Sequence, residues 1–269
     1  MDSNIEQNIK EANIKLHNFS AKNYDNYPPY LIKKLKQLFV NDIFFCIQNI
    51  KTKNIKVKLL DCGCGTGILA DVILKNLTDK IYIDCLDSSK EMILITKNKT
   101  QNKCNKYIID DIDNHLLNCD KYDLICFTSV LHHIGDFKKT LKLANKKLNK
   151  GGIIYIADEP QKRNNVSKSL MLNIFELCTG NLINIYRLIK NPKHAINFIK
   201  NKDKLNVGLA EYHATIGGID IKEIENIFSN YALLDYNLYL MHPFKFMELF
   251  NFLYENQSKT FKIIMRKEK

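Results

Sequence analysis

Hydrophobic positions recur along this chain with two different periods, and the change of period divides it. In the first fifty residues the period is helical. Ile5, Ile9, Ala12 and Leu16 fall on one face, and a second apolar stripe covers residues 30–50. Between them lies an irregular aromatic stretch, residues 19–30, ending Tyr27-Pro28-Pro29-Tyr30. From about Lys56 short apolar runs alternate with amphipathic ones. The pattern predicts strands over residues 57–61, 81–86, 107–110, 122–128 and 153–157. The run 122–128 is nearly all apolar, as a strand covered on both faces must be.

Helices are expected between these strands. One covers residues 68–77. A second opens at a Ser88/Glu91 capping box and turns Met92 and Ile95 inward. A third is capped by Asp136 and carries Phe137, Leu141, Ala144 and Leu148 on one side, before Gly151-Gly152 turns the chain into the fifth strand. Such alternation argues for a parallel sheet with right-handed crossovers. The regularity stops near Glu159. Residues 161–215 carry helical periodicity without a strand signal, and Asp220 and Glu223 open a further helix through Ile224, Ile227 and Phe228. Two strand-like runs, 231–241 and 260–265, flank a helical segment at 242–256 and are expected to close the sheet with an antiparallel strand. The expected organisation is a helical cap segment at 1–55, a core at 56–160, a helical cap insertion at 161–215 and a return to the sheet at 216–269.

Composition changes this picture little. Hydrophobic residues are 45% of the 269, enough for a sizeable core. No apolar run reaches the 18 residues that a membrane span needs, and the first fifteen residues are rich in acids and amides, so neither a span nor a signal peptide is expected and a cytoplasmic protein is. The net charge of +11 raises nucleic-acid binding, but arginine occurs only at 163, 187 and 266, and the lysines are spread along the chain. DNA is therefore not expected as a partner, while RNA stays open. Eight scattered cysteines include no Cys-x-x-Cys pair, which favours buried thiols in a reducing compartment over a metal site.

The most informative segment is Leu59-Leu60-Asp61-Cys62-Gly63-Cys64-Gly65-Thr66-Gly67, where a strand becomes a helix. Glycines there allow a tight turn and a close ligand approach, and the helix start offers free N–H donors. A dinucleotide fingerprint would want glycine at 63, 65 and 68, but residue 68 is isoleucine. Asp61 suits a cationic amino group better than a pyrophosphate. Asp87, at the end of the second strand, is placed to take both hydroxyls of a ribose.

These segments together resemble the class I S-adenosylmethionine (SAM)-dependent methyltransferases, small-molecule branch. The resemblance runs from about Val57 to Pro160 and rests on five motifs in order. They are the glycine loop, Leu86-Asp87-Ser88-Ser89 with Glu91-Met92, Asp111-Ile112, Tyr122-Asp123-Leu124-Ile125 with Leu131-His132-His133-Ile134, and Leu148-Asn149-Lys150-Gly151-Gly152. The last departs from the family's turn in carrying lysine for proline.

The resemblance implies a Rossmann-like, mainly parallel seven-stranded sheet with an antiparallel C-terminal strand and a helical cap. It also implies SAM as cofactor, yielding S-adenosylhomocysteine (SAH), and transfer of methyl to O, N or C of a small or lipid-like metabolite. Cofactor contacts are expected from Asp61, Gly63, Cys64, Gly65, Gly67, Asp87, Ser88, Met92, Asp111, Ile112, Phe127, Thr128 and His132, with Met92 flanking the adenine.

Methyl transfer needs alignment and, for some acceptors, a base. His132, His133 and Glu159 lie at the carboxyl edge of the sheet and are the candidate catalytic groups. Tyr24, Tyr27, Glu211 and His213 are the candidate acceptor contacts. The few charges in residues 170–189 suggest a lid over an apolar acceptor, a dimer face or a membrane-surface helix. Phe127-Thr128-Ser129-Val130 stands where amino-group methylases of nucleobases carry Asn/Asp-Pro-Pro-Tyr, so that class is disfavoured. RNA or protein acceptors, and a SAM-binding domain without catalysis, remain the alternatives.

Overall fold

In the computed structural model, residues 2–52, 56–77, 81–162, 170–254 and 260–268 are described. Seven strands form one sheet in the order β3-β2-β1-β4-β5-β7-β6. They are β1 (Val57–Cys62), β2 (Ile81–Asp87), β3 (Lys106–Ile109), β4 (Tyr122–Thr128), β5 (Leu148–Pro160), β6 (Tyr231–Tyr239) and β7 (Thr260–Lys267). β1 to β5 are parallel, and β7 runs antiparallel between β5 and β6. This is the expected Rossmann-like sheet with its reversed C-terminal strand.

Alternation along the strands builds two cores. Leu60, Cys62, Leu86, Ile125, Phe127, Ile154 and Ile156 face one side of the sheet, beneath Phe137, Leu141 and Ala144 of α6 (Phe137–Lys147). Leu59, Ile83, Cys85, Leu124, Cys126, Ile153 and Tyr155 face the other. There α2 (Pro29–Asn49) and α3 (Ile68–Asn76) bring Phe39, Ile43, Leu69 and Ile73. Both faces are covered, which is why the central strands read as unbroken apolar runs. Six of the eight cysteines are buried, and all eight are free thiols.

Local chemistry departs from the expected pattern at four places. Ser89, not Ser88, caps α4 (Lys90–Lys99), accepting from the Met92 N–H, and the helix buries Met92 and Ile93 while Ile95 is only half-buried. A short helix absent from the expected set, α5 (Ile112–Asn118), starts where Asp111 accepts from the N–H groups of Asp113 and Asn114. β5 begins at Leu148 and bulges, so that Tyr122 pairs with Leu148 but Leu124 with Ile153. The segment expected to be helical at 242–256 is a 3-10 helix over Lys245–Tyr254, and residues 255–256 lie outside the described residues. Asp136 caps α6 as expected. Asp220 caps α11 (Ile221–Ile227), but Glu223 pairs with Lys138 rather than closing a capping box.

The N-terminal helix α1 (Ser3–Ser20) does not stand alone. Ala12 and Leu16 pack with Leu205 and with Ala210 of α9 (Val207–Ala210) in a third apolar cluster. The helices α7 (Leu170–Lys190), α8 (Pro192–Asn201) and α10 (Tyr212–Ile216) complete the 161–215 region. The boundaries at 55, 160 and 215 follow changes of element type and remain a proposal as domain limits.

Candidate functional site

The carboxyl ends of β1, β2, β4 and β5 meet at the glycine loop. Gly63, Gly65 and Gly67 have φ of +67°, +53° and +76°, a conformation that side chains resist. At Gly63 a Cβ would lie 2.3 Å from Val130, and at Gly67 one would lie 2.7 Å from Thr96. At Gly65 it would meet nothing within 4 Å, so that glycine borders open space. The Gly65 N–H donates to Asp87 Oδ2 at 2.9 Å and the Ser89 N–H to Asp87 Oδ1 at 2.8 Å, fixing the carboxylate against the loop. Burial raises the Asp87 pKa despite these two donors.

Asp61, two residues before Gly63, is fully buried, and neither carboxylate oxygen has a hydrogen-bond partner. Burial, with lesser repulsion from Cys104 and Asp87, pushes its pKa up to about 8. Buried carboxylates are ordinarily satisfied, so an orphan of this kind marks a place for a cationic or N–H donor ligand.

Two neighbouring cavities open on the loop. The first, about 360 Å³, is lined by Gly63, Gly65, Asp87, Ser88, Asp111, Ile112 and also by Asn13, His17, Tyr24, Ile109, Ser129 and His133. The second, about 220 Å³, shares Tyr24, Gly63, Gly65 and Ser129 and adds Cys64, Tyr27, Leu31, Leu35, Phe39, Thr128, Asp158 and Met241. Tyr24 thus stands between the two. Thr66 donates to Asp25 at 2.6 Å, and Lys99 is ion-paired to the same carboxylate, which fastens the turn carrying Tyr24 to the glycine loop.

Several expected contacts lie elsewhere. Met92 and Phe127 are fully buried in the core and, like Asp61 and His132, line neither cavity, while Cys64 and Thr128 line only the second. Gly67 is packed on Thr96. Asp111 lines the first cavity, but one carboxylate oxygen caps α5 and the other meets Lys10 at 3.2 Å. His213 turns its Nε2 to the Gly135 carbonyl at 3.1 Å and its ring edge to Phe137, outside both cavities. Glu211 also lines neither and instead approaches His132 Nε2 at 3.5 Å.

The candidate catalytic groups change roles. Glu159 is fully buried and accepts the N–H groups of Val130, Leu131 and His132 at 2.6, 2.8 and 3.1 Å, and the His132 ring Nδ1 at 2.8 Å. It builds the turn after β4 and reaches no cavity. Burial disfavours charge on His132, but the carboxylates of Glu159 and Glu211 prevail and raise its pKa to about 10. His133 lines the first cavity, yet burial and the neighbouring His132 charge lower its pKa to about 3. Its Nδ1 donates to the Ala210 carbonyl at 2.8 Å. One histidine is held charged and the other neutral, so neither is tuned as a base near neutrality.

Potential ligand atoms of His132, His133 and Glu211 lie within 4.8 Å of one another. His132 Nδ1 and His133 Nδ1 already have partners, however, and Glu211 is held ionised, its pKa lowered to about 2. Burial opposes that lowering, and the His132 hydrogen bond and the histidine charges outweigh it. The trio is therefore satisfied as an ion-pair network.

Asp158 was not among the expected residues, and it is the carboxylate that the second cavity displays. Its φ is +58°, and Ser129 opposite has +55°. The register of β5 on β7 slips between Ala157 and Glu159, which leaves Asp158 outside the strand alternation. Burial and the Glu159 charge raise its pKa to about 6, although His132 opposes them. A left-handed residue at a sheet edge is invisible to hydrophobic periodicity; only its position past the fifth strand could have suggested it.

Among the described residues, none between 161 and 215 lines either cavity. The apolar positions of α7 expected as a ceiling, Leu177, Leu182, Ile185, Leu188 and Ile189, are exposed. The side chains of 170–176 lie outside the described residues. The roof comes from α1, α2 and the turn between them.

Residues 60–154 match the family described as methyltransferase domain. A ubiquinone biosynthesis O-methyltransferase from Pelagibacter ubique is 31% identical over 143 residues, covering 52% of this chain and 57% of that protein. A malonyl-[acyl-carrier protein] O-methyltransferase from Ilyobacter polytropus is 34% identical over 143 residues, 51% of this chain and 48% of that one. The chain thus spans about half the length of the curated relatives it matches. In fold it is similar to geranyl diphosphate C-methyltransferase from Streptomyces coelicolor, with a TM-score of 0.54, 9% identity and 88% and 82% of the two chains covered. It is also similar to the plantazolicin methyltransferase, with a TM-score of 0.51, 16% identity and 99% and 100% covered.

The glycine loop, the paired carboxylates and the strand order define a class I methyltransferase fold. Residues 60–154 carry the likeness to a methyltransferase domain, a family that uses SAM as cofactor. The chain's own residues fit that cofactor. The orphan Asp61 suits a cationic amino-acid end, Asp87 a ribose, and the space at Gly65 a backbone-hugging ligand.

Proposed function

We propose that the protein is a methyltransferase that binds SAM in the 360 Å³ cavity and methylates an apolar small molecule. The observation that carries this reading is the unpartnered, buried Asp61, two residues before the first of three left-handed glycines, two of which line a cavity together with Asp87. SAM supplies an electrophilic methyl on a sulfonium. The chain's residues orient it: Asp87 is held by two backbone N–H groups, and Tyr24 and Gly63 wall the cofactor cavity from its neighbour.

Acceptor size supports a small molecule over RNA or protein. The second cavity is walled by Leu31, Leu35, Phe39 and Met241 and roofed by the N-terminal segment, a shape that admits a ring or short chain rather than a polymer. The name of one relative, a ubiquinone biosynthesis O-methyltransferase, accords with this. Free, mostly buried thiols accord with a cytoplasmic location. No helix of the described residues is long and apolar enough to cross a membrane. The exposed Leu182, Ile185 and Ile189 of α7, near Lys190 and Lys193, support a surface contact with lipid, which vesicle sedimentation would test. Titration calorimetry with SAM and SAH tests the central reading, and absence of binding to either would refute it.

A further inference from the structure

The second cavity has a chemistry of its own. Five of its walls are the apolar side chains of Leu31, Ile32, Leu35, Phe39 and Met241, and no lysine, arginine or histidine lines it among the described residues. Two carboxylates border it. Asp25 is engaged by Thr66 and Lys99. Asp158 makes no side-chain hydrogen bond or ion pair among the described residues, while its backbone N–H donates to the Tyr239 hydroxyl at 2.8 Å. The chain holds Asp158 and Ser129 in the left-handed region on either side of this opening. Backbone strain of that kind concentrates at working sites. Gly63, Gly65, Tyr24 and Ser129 border both cavities, so a ligand in one lies against a ligand in the other.

Resting on the function proposed above, we infer that this cavity is the acceptor subsite, that it takes a neutral, mainly apolar hydroxyl compound, and that Asp158 is the catalytic residue receiving the hydroxyl proton. The hydroxyl O–H bond breaks, its proton passes to the Asp158 carboxylate, and the oxygen lone pair forms the new O–CH₃ bond. The methyl–sulfur bond breaks with its electron pair returning to sulfur. The acid form of Asp158 then releases its proton to solvent. An anionic acceptor is disfavoured, because the cavity offers a carboxylate and no cation. An ammonium is disfavoured by the sulfonium that must lie beside it. A pKa near 6 suits a group that is ionised at neutral pH and still basic enough to accept a proton.

The test uses the full chain, first titrated with SAH and then, loaded with SAH, titrated by NMR with para-propylphenol and para-propylbenzoate. Wild type should bind the phenol at least about tenfold more tightly than the benzoate. Leu35→Trp, which fills the cavity, should lose about tenfold or more in phenol affinity while SAH affinity stays within about twofold. Ile32→Trp serves if that variant does not fold. Asp158→Asn should remove the discrimination against benzoate and lower methyl transfer by about a hundredfold or more, with SAH affinity retained. The inference is overturned if SAH binds normally but the phenol does not, if the benzoate binds as well as the phenol, if neither filled variant affects phenol binding, or if Asp158→Asn transfers methyl at the wild-type rate. Failure of SAH itself to bind would instead overturn the proposed function.

Discussion

Glu159 accepts the His132 ring N–H at 2.8 Å from a fully buried carboxylate that also gathers three consecutive backbone N–H groups. One side chain at the end of β5 thereby shapes the turn that follows β4, and with it the Ser129 wall of both cavities and the Val130 wall of the first. The pair is structural, and its removal should be felt as stability. Breaking a buried, hydrogen-bonded ion pair from one side costs about 3–5 kcal/mol. Glu159→Gln should therefore lower the thermal midpoint strongly. An unchanged midpoint would remove Glu159 from this role.

The same pair predicts a pH dependence. The folded His132 pKa, about 10, lies above the ordinary 6.5. A raised pKa stabilises the fold fully below the unfolded value, and the contribution is lost as pH rises through the folded one. The stability difference between wild type and His132→Asn should be largest near pH 6 and shrink steadily toward pH 10. Denaturant melts across that range would show it, and a difference that grows with pH would refute the assigned charge.

Most of the sheet was legible in the sequence, because strands buried on both faces carry unbroken apolar runs and their order follows from the alternation with helices. Asp61, Gly65 and Asp87 were legible too, since the turn after β1 constrains residue type. Asp158 was not. Alternation along β5 points toward Glu159 as readily as toward its neighbour, and a bulge that depends on pairing with β7, about a hundred residues later, decides between them. His132 and His133 read alike in sequence, yet Glu159 and Glu211 hold one as a cation, while burial and that cation's charge keep the other neutral. The 161–215 region was expected to roof the acceptor, but helical periodicity shows that a face is apolar and not what it faces.

Asp61 should exchange a proton when the cofactor site fills. Buried without a partner, it is mainly protonated at pH 7, its pKa being about 8. A cationic amino group brought beside it favours the carboxylate. SAH binding at pH 7 should release protons, read as a calorimetric enthalpy that varies with the ionisation enthalpy of the buffer. Asp61→Asn should bind more weakly and abolish that variation. A variation that persists in Asp61→Asn would assign the proton to another group.

Gly65→Val should block the cofactor and little else. The site has open space, so the fold tolerates the side chain, at a cost of about 1–2 kcal/mol for a left-handed non-glycine residue. The new methyls enter the open space that Gly65 borders. Asp87→Ala should weaken SAM and SAH alike by about tenfold or more, through loss of charge-assisted hydrogen bonds. Undiminished SAH affinity in a folded Gly65→Val protein would show that the ligand lies elsewhere.

Tyr24 offers the sharpest separation of the two cavities. Its ring lines both, and no hydrogen bond of its hydroxyl is found among the described residues. Burial raises its pKa, so the hydroxyl is neutral and contributes no charge. What the residue supplies is a surface, one face toward each ligand, in a turn anchored by the Asp25 contacts to Thr66 and Lys99. Tyr24→Phe keeps that surface and should leave SAH affinity within about twofold. Tyr24→Ala removes the partition and merges the cavities. It should weaken SAH by about tenfold, admit water to the reacting methyl and lower transfer further than the affinity loss accounts for. The measurement is SAH affinity together with single-turnover transfer at saturating SAM. If Tyr24→Ala transfers methyl normally at saturation, the ring is not the wall between cofactor and acceptor. If Tyr24→Phe is as damaging as Tyr24→Ala, the hydroxyl is what the site uses.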